Sequence, residues 1–470
     1  MKVTNESMKI ICFTSLLIFI ILVKTYKNKQ NIKKILEVMY ITNEEVKMER
    51  NKWFISQIQK SLMPSTGCTE PIAIALNAAI ARNEVKGEIK KAVLTVDPYL
   101  YKNAIGVGIP GCGRRGVKMC MAMGITCGNP QAGMNVLADT ARDDQKKAEQ
   151  LLDKIEVRVL QEGDVLFIQT ELITECDRVR VVTLKEHNNI VDVAHEPYEP
   201  FCYRVESDEK KEIQKYGLDD FLEFAEKVSV DELEVLWEGL NMNRAISERG
   251  KGSGIGEYMC SLERKGYLGN SLVMKAHRMA GGGSYARMSG ISMPVMTATG
   301  SGNQGITLFL PIDAAAVMMN ASKEQELRAL ALAALVNILG KSYIGELSSV
   351  CACGVASGIG ASLGICYMLG ADRKQMLGAA KNILGTISGM ICDGAKEECA
   401  NKVAISSALA VEAAFLAMEG YISSGTSGIL AEDLNSMYRN LGYFVHHGME
   451  SANRTMIQIM TGISETADKV

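Results

Sequence analysis

The feature that most constrains this fold is a change of hydrophobic period partway along the chain. Between Ile155 and Val193 the segments IEVRVLQ, VLFIQTELIT, RVRVVTLK and NIVDVAH alternate apolar with polar residues at period two. Such alternation turns one row of side chains toward a core and the other toward water, as half-buried strands require. Glu-Gly-Asp and Glu-His-Asn-Asn turns separate the runs, which predicts hairpins and a small antiparallel sheet. From about Glu206 the alternation stops and helical spacing runs to the end. The charged stretch 206–215 marks the expected boundary. The predicted fold class is α+β, with an α+β domain over 48–210 and a larger, mostly helical domain over 211–470.

Local signals fill in this outline. An amphipathic helix over 49–62 is ended by Pro64, and the loop Ser65-Thr66-Gly67-Cys68 follows. Thr69 suits a helix cap and Pro71 a first turn, so a helix is expected over 72–82. A strand over 92–96 precedes a glycine-dense stretch, 106–116. Later helices are expected over 379–389, 399–420 and 453–467, with Gly420 as a C-terminal stop.

The first 47 residues differ from the rest. Residues 10–23 form a 14-residue apolar run, short of the ~20 a spanning helix needs. Lys24, Lys27, Lys29, Lys33 and Lys34 follow, so an anchor here would leave the downstream chain in the cytoplasm. The other reading is an extension upstream of a start at Met39 or Met48, which gives the same cytoplasmic location. Asp313 and Arg328 interrupt the richest later apolar segments, which argues against a polytopic transporter. The 51 basic and 54 acidic residues nearly cancel, leaving no strong field to gather nucleic acid.

Thirteen cysteines, an odd number in a long chain, argue against a disulfide framework and for reduced thiols. Cys68 precedes a helix N-terminus, whose dipole and free N–H groups lower a thiol's pKa, so it reads as a base or nucleophile. The alternative is a small residue buried in a turn. Cys351, Cys353, Cys392 and Cys399 have no histidine nearby and suit an iron–sulfur cluster or a cysteine-rich zinc site, against plain core thiols. A four-iron cluster held by three thiolates keeps one iron open as a Lewis acid, which suits β-elimination. Two glycine loops offer anion binding. One, 108–116, carries Arg114 and Arg115; the other, 299–305, carries Ser301, Asn303 and Gln304. Gly281-Gly282-Gly283-Ser284, ahead of Tyr285 and Arg287, offers a further wall. Lys396 and Lys402 are candidate pyridoxal lysines that nothing around them marks out, and His446-His447 reads as a loop pair.

Four motifs, Thr66-Gly67-Cys68-Thr69-Glu70-Pro71, Gly111-Cys112-Gly113, Gly300-Ser301-Gly302-Asn303-Gln304-Gly305 and Gly389-Met390-Ile391-Cys392-Asp393-Gly394-Ala395-Lys396, together resemble the L-cysteine desulfidase family. That family is related to the iron–sulfur L-serine dehydratase alpha chain, and the resemblance spans roughly 55–463. It implies an oxygen-sensitive [4Fe-4S] lyase without pyridoxal phosphate, converting L-cysteine to pyruvate, ammonia and hydrogen sulfide. It implies Cys68 as catalytic base and Cys392 and Cys399 as cluster ligands. The third ligand falls on Cys351 or Cys353, with Cys353 preferred. Arg114 or Arg115 with Ser301, Asn303 and Gln304 would hold the substrate carboxylate. The implied partner is a small amino acid, L-cysteine or L-serine. No nucleic acid is expected, a membrane only through residues 10–23, and a homodimer is the assembly to test. The rivals are an L-serine dehydratase with the same cluster and a zinc-binding structural or sensor protein.

Overall fold

The computed structural model describes residues 29–160, 165–203, 212–345, 348–425 and 427–461. The apolar run 10–23, Cys12 and residues 206–211 of the expected linker lie outside them. The strands are β1 (Pro64–Thr66), β2 (Lys91–Val96), β3 (Ile155–Val159), β4 (Phe167–Ile173), β5 (Arg178–Leu184), β6 (Ile190–His195) and β7 (Pro294–Met296). The fold is α+β.

The four alternating segments become β3 to β6, and β2 joins them in a five-stranded sheet of order β3-β2-β4-β5-β6. The sheet is mixed, not wholly antiparallel: β2 and β3 run parallel, with Ala92 opposite Ile155 and Val96 opposite Val159. The reason is the long connection between them. Helices Pro98–Ala104, Val117–Cys127 and Arg142–Glu149 intervene, and a crossover of that length returns the chain in the same direction. Ala92, Leu94, Ile168, Leu172, Val179 and Val181 of the sheet share a buried core with Ile72, Leu76 and Met121 of the covering helices. Asp97 ties sheet to helix. Its Oδ1 accepts from the N–H groups of Tyr99 and Leu100, each at 2.9 Å, and its Oδ2 from Phe167 N–H at 2.9 Å. Burial pushes its carboxyl up to about 6, against those three bonds.

The second core is helical. It gathers Leu308, Phe309 and Ile312 with Leu330, Leu335, Leu339, Ile383 and Val411. Helices Lys323–Ile344 and Cys399–Met418 are long and apolar enough to cross a membrane, but 78% and 50% of their apolar windows are buried inside the protein. Helix Lys29–Ser61 is longer than the expected 49–62. Its Phe54 and Ile58 contribute to this helical core, beside Phe221 and Phe224, and not to the α+β core with which the sequence groups them. Phe54 meets Phe224 edge to face, with ring centroids 5.4 Å apart.

A strand that the sequence does not signal joins the two parts. β1 pairs antiparallel with β7, Ser65 opposite Val295 and Thr66 opposite Pro294. Thr297 N–H continues the seam to Met63 O at 2.9 Å, and Thr299 N–H to Ser61 O at 2.8 Å. Three residues are too few to display a period of two. This ribbon carries the Cys68 loop to the Ser301 loop.

Candidate active site

Cys68 follows β1 directly. Gly67 makes the turn with a φ of +86°, and a Cβ there would lie 2.3 Å from Pro110 Cγ, so glycine alone lets the 106–116 loop close over it. Cys68, not Thr69, is the N-cap of helix Thr69–Glu84. Its side chain is 3% exposed, and its Sγ donates to Glu70 Oε2 at 3.1 Å. Thr69 Oγ1 donates to the same oxygen at 3.0 Å, and Asn103 Nδ2 to Glu70 Oε1 at 3.0 Å.

The helix N-terminus does not lower this thiol's pKa as the sequence suggests. Burial and then the Glu70 carboxylate push it well up, with Arg287 opposing. Burial also opposes ionisation of Glu70, yet His187, the Cys68 hydrogen bond, its own backbone amide and Arg287 together hold Glu70 below the usual carboxylate range. The pair is therefore a thiol donating to a buried carboxylate.

The helical part supplies the facing wall. Cys68 packs with Val107, Met288, Ala395 and Cys399 in one small cluster. Val350 and Ile391 form an isolated antiparallel bridge. Cys351 N–H donates to Met390 O and Cys392 N–H to Ser349 O, both at 2.8 Å, so Cys351 and Cys392 flank that bridge. Cys399 opens helix Cys399–Met418, and burial, then Cys351 and Cys392, push its thiol up to about 12. Cys353 donates to Cys351, and that bond, with Lys402 nearby, draws Cys351 below the ordinary thiol range against the cost of burial. Cys353, 7% exposed, belongs to an apolar cluster with Ile246, Ala280 and Val403, and Cys351 packs against the same cluster.

Lysines brace this group. Asp393 is held down to about 2, burial being outweighed by Lys396 and Lys402, and both lysines are ion-paired to it. Lys402 Nζ also donates to Ile391 O at 2.6 Å. Lys102, 1% exposed, reaches across from the α+β part and donates to Cys392 O and to Asn453 Oδ1, each at 3.0 Å.

Among the described residues, no three His, Cys, Asp or Glu side chains converge closely enough to hold a single metal ion. Cys351 and Cys392 nevertheless sit near enough to raise the thiols of both Cys353 and Cys399. An iron–sulfur cluster binds each thiolate through a different iron, whereas zinc draws its ligands onto one centre. An all-thiol donor set spread in this way fits the cluster.

The Ser301 loop completes the wall. Asn303 and Gln304 are buried in the first turn of helix Gly302–Met319, with Ser301 as its N-cap. Gln304 Oε1 accepts from Thr299 Oγ1 at 3.0 Å, and Asn337 Nδ2 donates to that hydroxyl at 3.1 Å. Asn303 Oδ1 accepts from Ser284 Oγ at 3.0 Å and from Arg287 Nη1 at 3.1 Å. Arg114 and Arg115 lie elsewhere in kind: their side chains are 62% and 52% exposed and ion-pair with Glu149 and Glu397. His446 sits at an exposed turn with Nε2 3.0 Å from Tyr343 O.

The structure thus gathers Cys68, Cys351, Cys353, Cys392, Cys399, Ser301, Asn303 and Gln304 around one seam, and leaves Arg114 and Arg115 at the surface. Sequence reasoning assigned no role to Glu70 or Lys102, and marked Arg287 only as part of a further wall. Glu70 stood inside a quoted motif, two residues from Cys68, and that spacing was its only signal. Lys102 has none, because nothing local distinguishes a buried lysine from a solvated one.

Fold and site define an α+β protein with a buried thiol–carboxylate pair facing a group of four cysteines. Residues 131–458 match the serine dehydratase alpha chain, and the chain belongs to that family. A UPF0597 protein of Clostridium perfringens (strain ATCC 13124) is 34% identical over 415 residues, covering 87% of this chain and 97% of the relative. One of Clostridium tetani is 34% identical over 427 residues, covering 88% and 99%. One of Alkaliphilus oremlandii is 33% identical over 425 residues, covering 88% and 99%.

Proposed function

We propose that this chain is a cytoplasmic iron–sulfur lyase that eliminates sulfide from L-cysteine, giving pyruvate, ammonia and hydrogen sulfide. The observation that carries it is the packing of Cys68, hydrogen-bonded to Glu70, against Cys399 of the cysteine group. A proton-handling pair beside an all-thiol donor set is what β-elimination asks for. Family membership supports a serine dehydratase-like lyase at the coarse level.

Cys351, Cys392 and Cys399 would hold a [4Fe-4S] cluster. Cys351 is preferred to Cys353 because its backbone is zipped to the segment bearing Cys392. When bound, the cluster supplies a Lewis-acidic iron that makes the substrate's β-substituent a better leaving group. The chain's own residues handle the proton. Glu70 Oε2 is the acceptor within reach of the Cys68 S–H proton, and because burial and the carboxylate hold that proton on sulfur the transfer is uphill, so the sulfur gives it up only as it takes the proton from the substrate α-carbon. The electrons of that C–H bond become the Cα=Cβ bond as the Cβ–S bond breaks, and its electron pair leaves on the substrate sulfur, which takes the proton from Glu70 and departs as hydrogen sulfide. Aminoacrylate then leaves the site and hydrolyses in water to pyruvate and ammonia. Met288, Val107 and Ala395 around Cys68 keep water from the sulfur.

Anaerobically purified protein is the test. It is expected to be brown, to bleach in air, and to change its visible spectrum on adding L-cysteine while releasing sulfide and pyruvate in equal amounts. A colourless protein with stoichiometric zinc overturns the reading in favour of a structural or sensor protein. L-serine is the second reading, favoured by the family's description; pyruvate from serine at a higher kcat/KM than from cysteine would select it.

A further inference from the structure

Arg287 is the most unusual buried charge in the described residues. It is 1% exposed, and a guanidinium is a cation with five donors. Nη1 donates to Asn303 Oδ1 at 3.1 Å and lies 3.3 Å from Met288 Sδ. Nε and Nη2 have no hydrogen-bond partner. Burying a charge with donors unmet is costly unless something else meets them.

The unmet donors face a second anion-seeking feature. Helix Gly302–Met319 has 18 residues, and its Ser301 cap makes no side-chain bond to its first turn. Its ladder begins only with Gly305 N–H to Ser301 O at 3.1 Å, leaving the amides of Gly302, Asn303 and Gln304 without intrahelical acceptors. A Cβ on Gly302 would lie 2.3 Å from Arg287 Nε and 2.7 Å from Cζ. Glycine is what lets the guanidinium rest against this helix start. Arg287 also influences the ionisation of both Cys68 and Glu70, and the adjoining Met288 packs on Cys68. An anion held here sits beside the proton-handling pair.

We propose that Arg287 and the first turn of helix Gly302–Met319 form the recess that grips the α-carboxylate of the amino-acid substrate. That the carboxylate belongs to a substrate rests on the lyase reading above; that the recess takes a carboxylate rests on the geometry alone. Nε and Nη2 present the paired donors that suit the two oxygens of a carboxylate, and the free amides of the first helical turn add further donors. With the carboxylate fixed here, the α-proton is delivered to Cys68 and the β-substituent lies toward Cys351, Cys392 and Cys399. The exposed, already paired Arg114 and Arg115 are not needed for this grip.

L-alanine and L-alaninamide test the recess without turnover, since they differ at the carboxylate and carry no leaving group. Calorimetry on the anaerobic holoenzyme is expected to show L-alanine bound at least ~30-fold more tightly than the amide. Arg287→Gln is expected to remove that preference by weakening L-alanine alone. Asn303→Asp guards against misfolding: its new carboxylate meets Nη1 and neutralises the guanidinium while leaving Nε and Nη2 in place, so the preference should fall while the melting temperature holds or rises. Equal weakening of both ligands by Arg287→Gln, or L-alanine binding undiminished in either variant, overturns the proposal. If the preference depends on Arg287 but neither L-cysteine nor L-serine is turned over, the recess stands and the lyase reading fails.

Discussion

The two walls of the seam are built on opposite electrostatic plans. The α+β wall presents a buried carboxylate, Glu70, and beside it a thiol held in its protonated form by burial and by that negative charge. The helical wall presents half-buried Lys402 near Cys351, which the Cys353 hydrogen bond and then Lys402 draw toward the ionised form, while burial pushes the Cys399 thiol of the same wall up to about 12. On the proposed reading, one residue type serves two jobs. A carboxylate neighbour keeps a thiol protonated, and a cation neighbour favours the thiolate that metals bind.

Removing a thiol from the helical wall should have the largest effect. Cys392→Ala is expected to abolish both the visible absorption and the turnover of anaerobic protein, as read by spectrum and sulfide release. Cys68→Ala should leave the colour intact and lower kcat by ~10²–10⁴, the range for a positioned base. Loss of colour in Cys68→Ala would erase the distinction between the walls. Glu70→Gln keeps the shape but removes the charge; turnover should fall ~10–10²-fold with the spectrum unchanged. A Glu70→Gln enzyme as fast as wild type would reduce the carboxylate to a structural partner.

Lys102→Met tests the tie between the walls. It leaves Cys392 O and Asn453 Oδ1 without their donor and should cost about 1–3 kcal/mol in denaturant unfolding, with faster bleaching in air. The last contrast concerns the helical core by itself and leaves turnover untouched. Burial, opposed by Arg244 and helped by Asp313, raises Glu326 from 4.5 to about 7. The folded state therefore binds that proton more tightly than the unfolded one. This stabilisation is complete below about 4.5 and is lost as pH rises through about 7, a span of roughly 3 kcal/mol. Glu326→Gln should flatten the stability profile over that window and leave the pH dependence of turnover unchanged.

Much of the α+β wall is legible from the residues. Alternation at period two locates β3 to β6, although only β6 keeps a regular wet face: β5 is buried at every position after Arg178, because both faces of the central strands are covered. Gly67-Cys68 next to Pro71 marks a turn into a helix because proline fits a first turn and few other places. The cysteines announce a thiol site by their number and the scarcity of histidine. Less of the helical wall can be read. Arg287 follows a run of glycines inside an ordinary helix, and only the neighbouring chain decides that its guanidinium is sealed from water. Arg114 and Arg115, in a loop that advertises anion binding, find Glu149 and Glu397 instead. Local pattern reports which residues prefer burial, not which charges burial will leave without partners.

By itself the sequence determined an α+β chain with a strand-rich first part, a helical second part and a cysteine set suited to metal. Periodicity and residue type are local properties, and these conclusions need nothing else. Tertiary structure decided that a three-residue ribbon joins the parts and that β2 and β3 run parallel. It decided that Cys68 points at Glu70 across from Cys399, and that Arg287 is the buried cation with donors to spare. Each of these depends on residues tens to hundreds of positions apart meeting in a medium without water, where a single neighbouring charge sets what a thiol or a guanidinium can do.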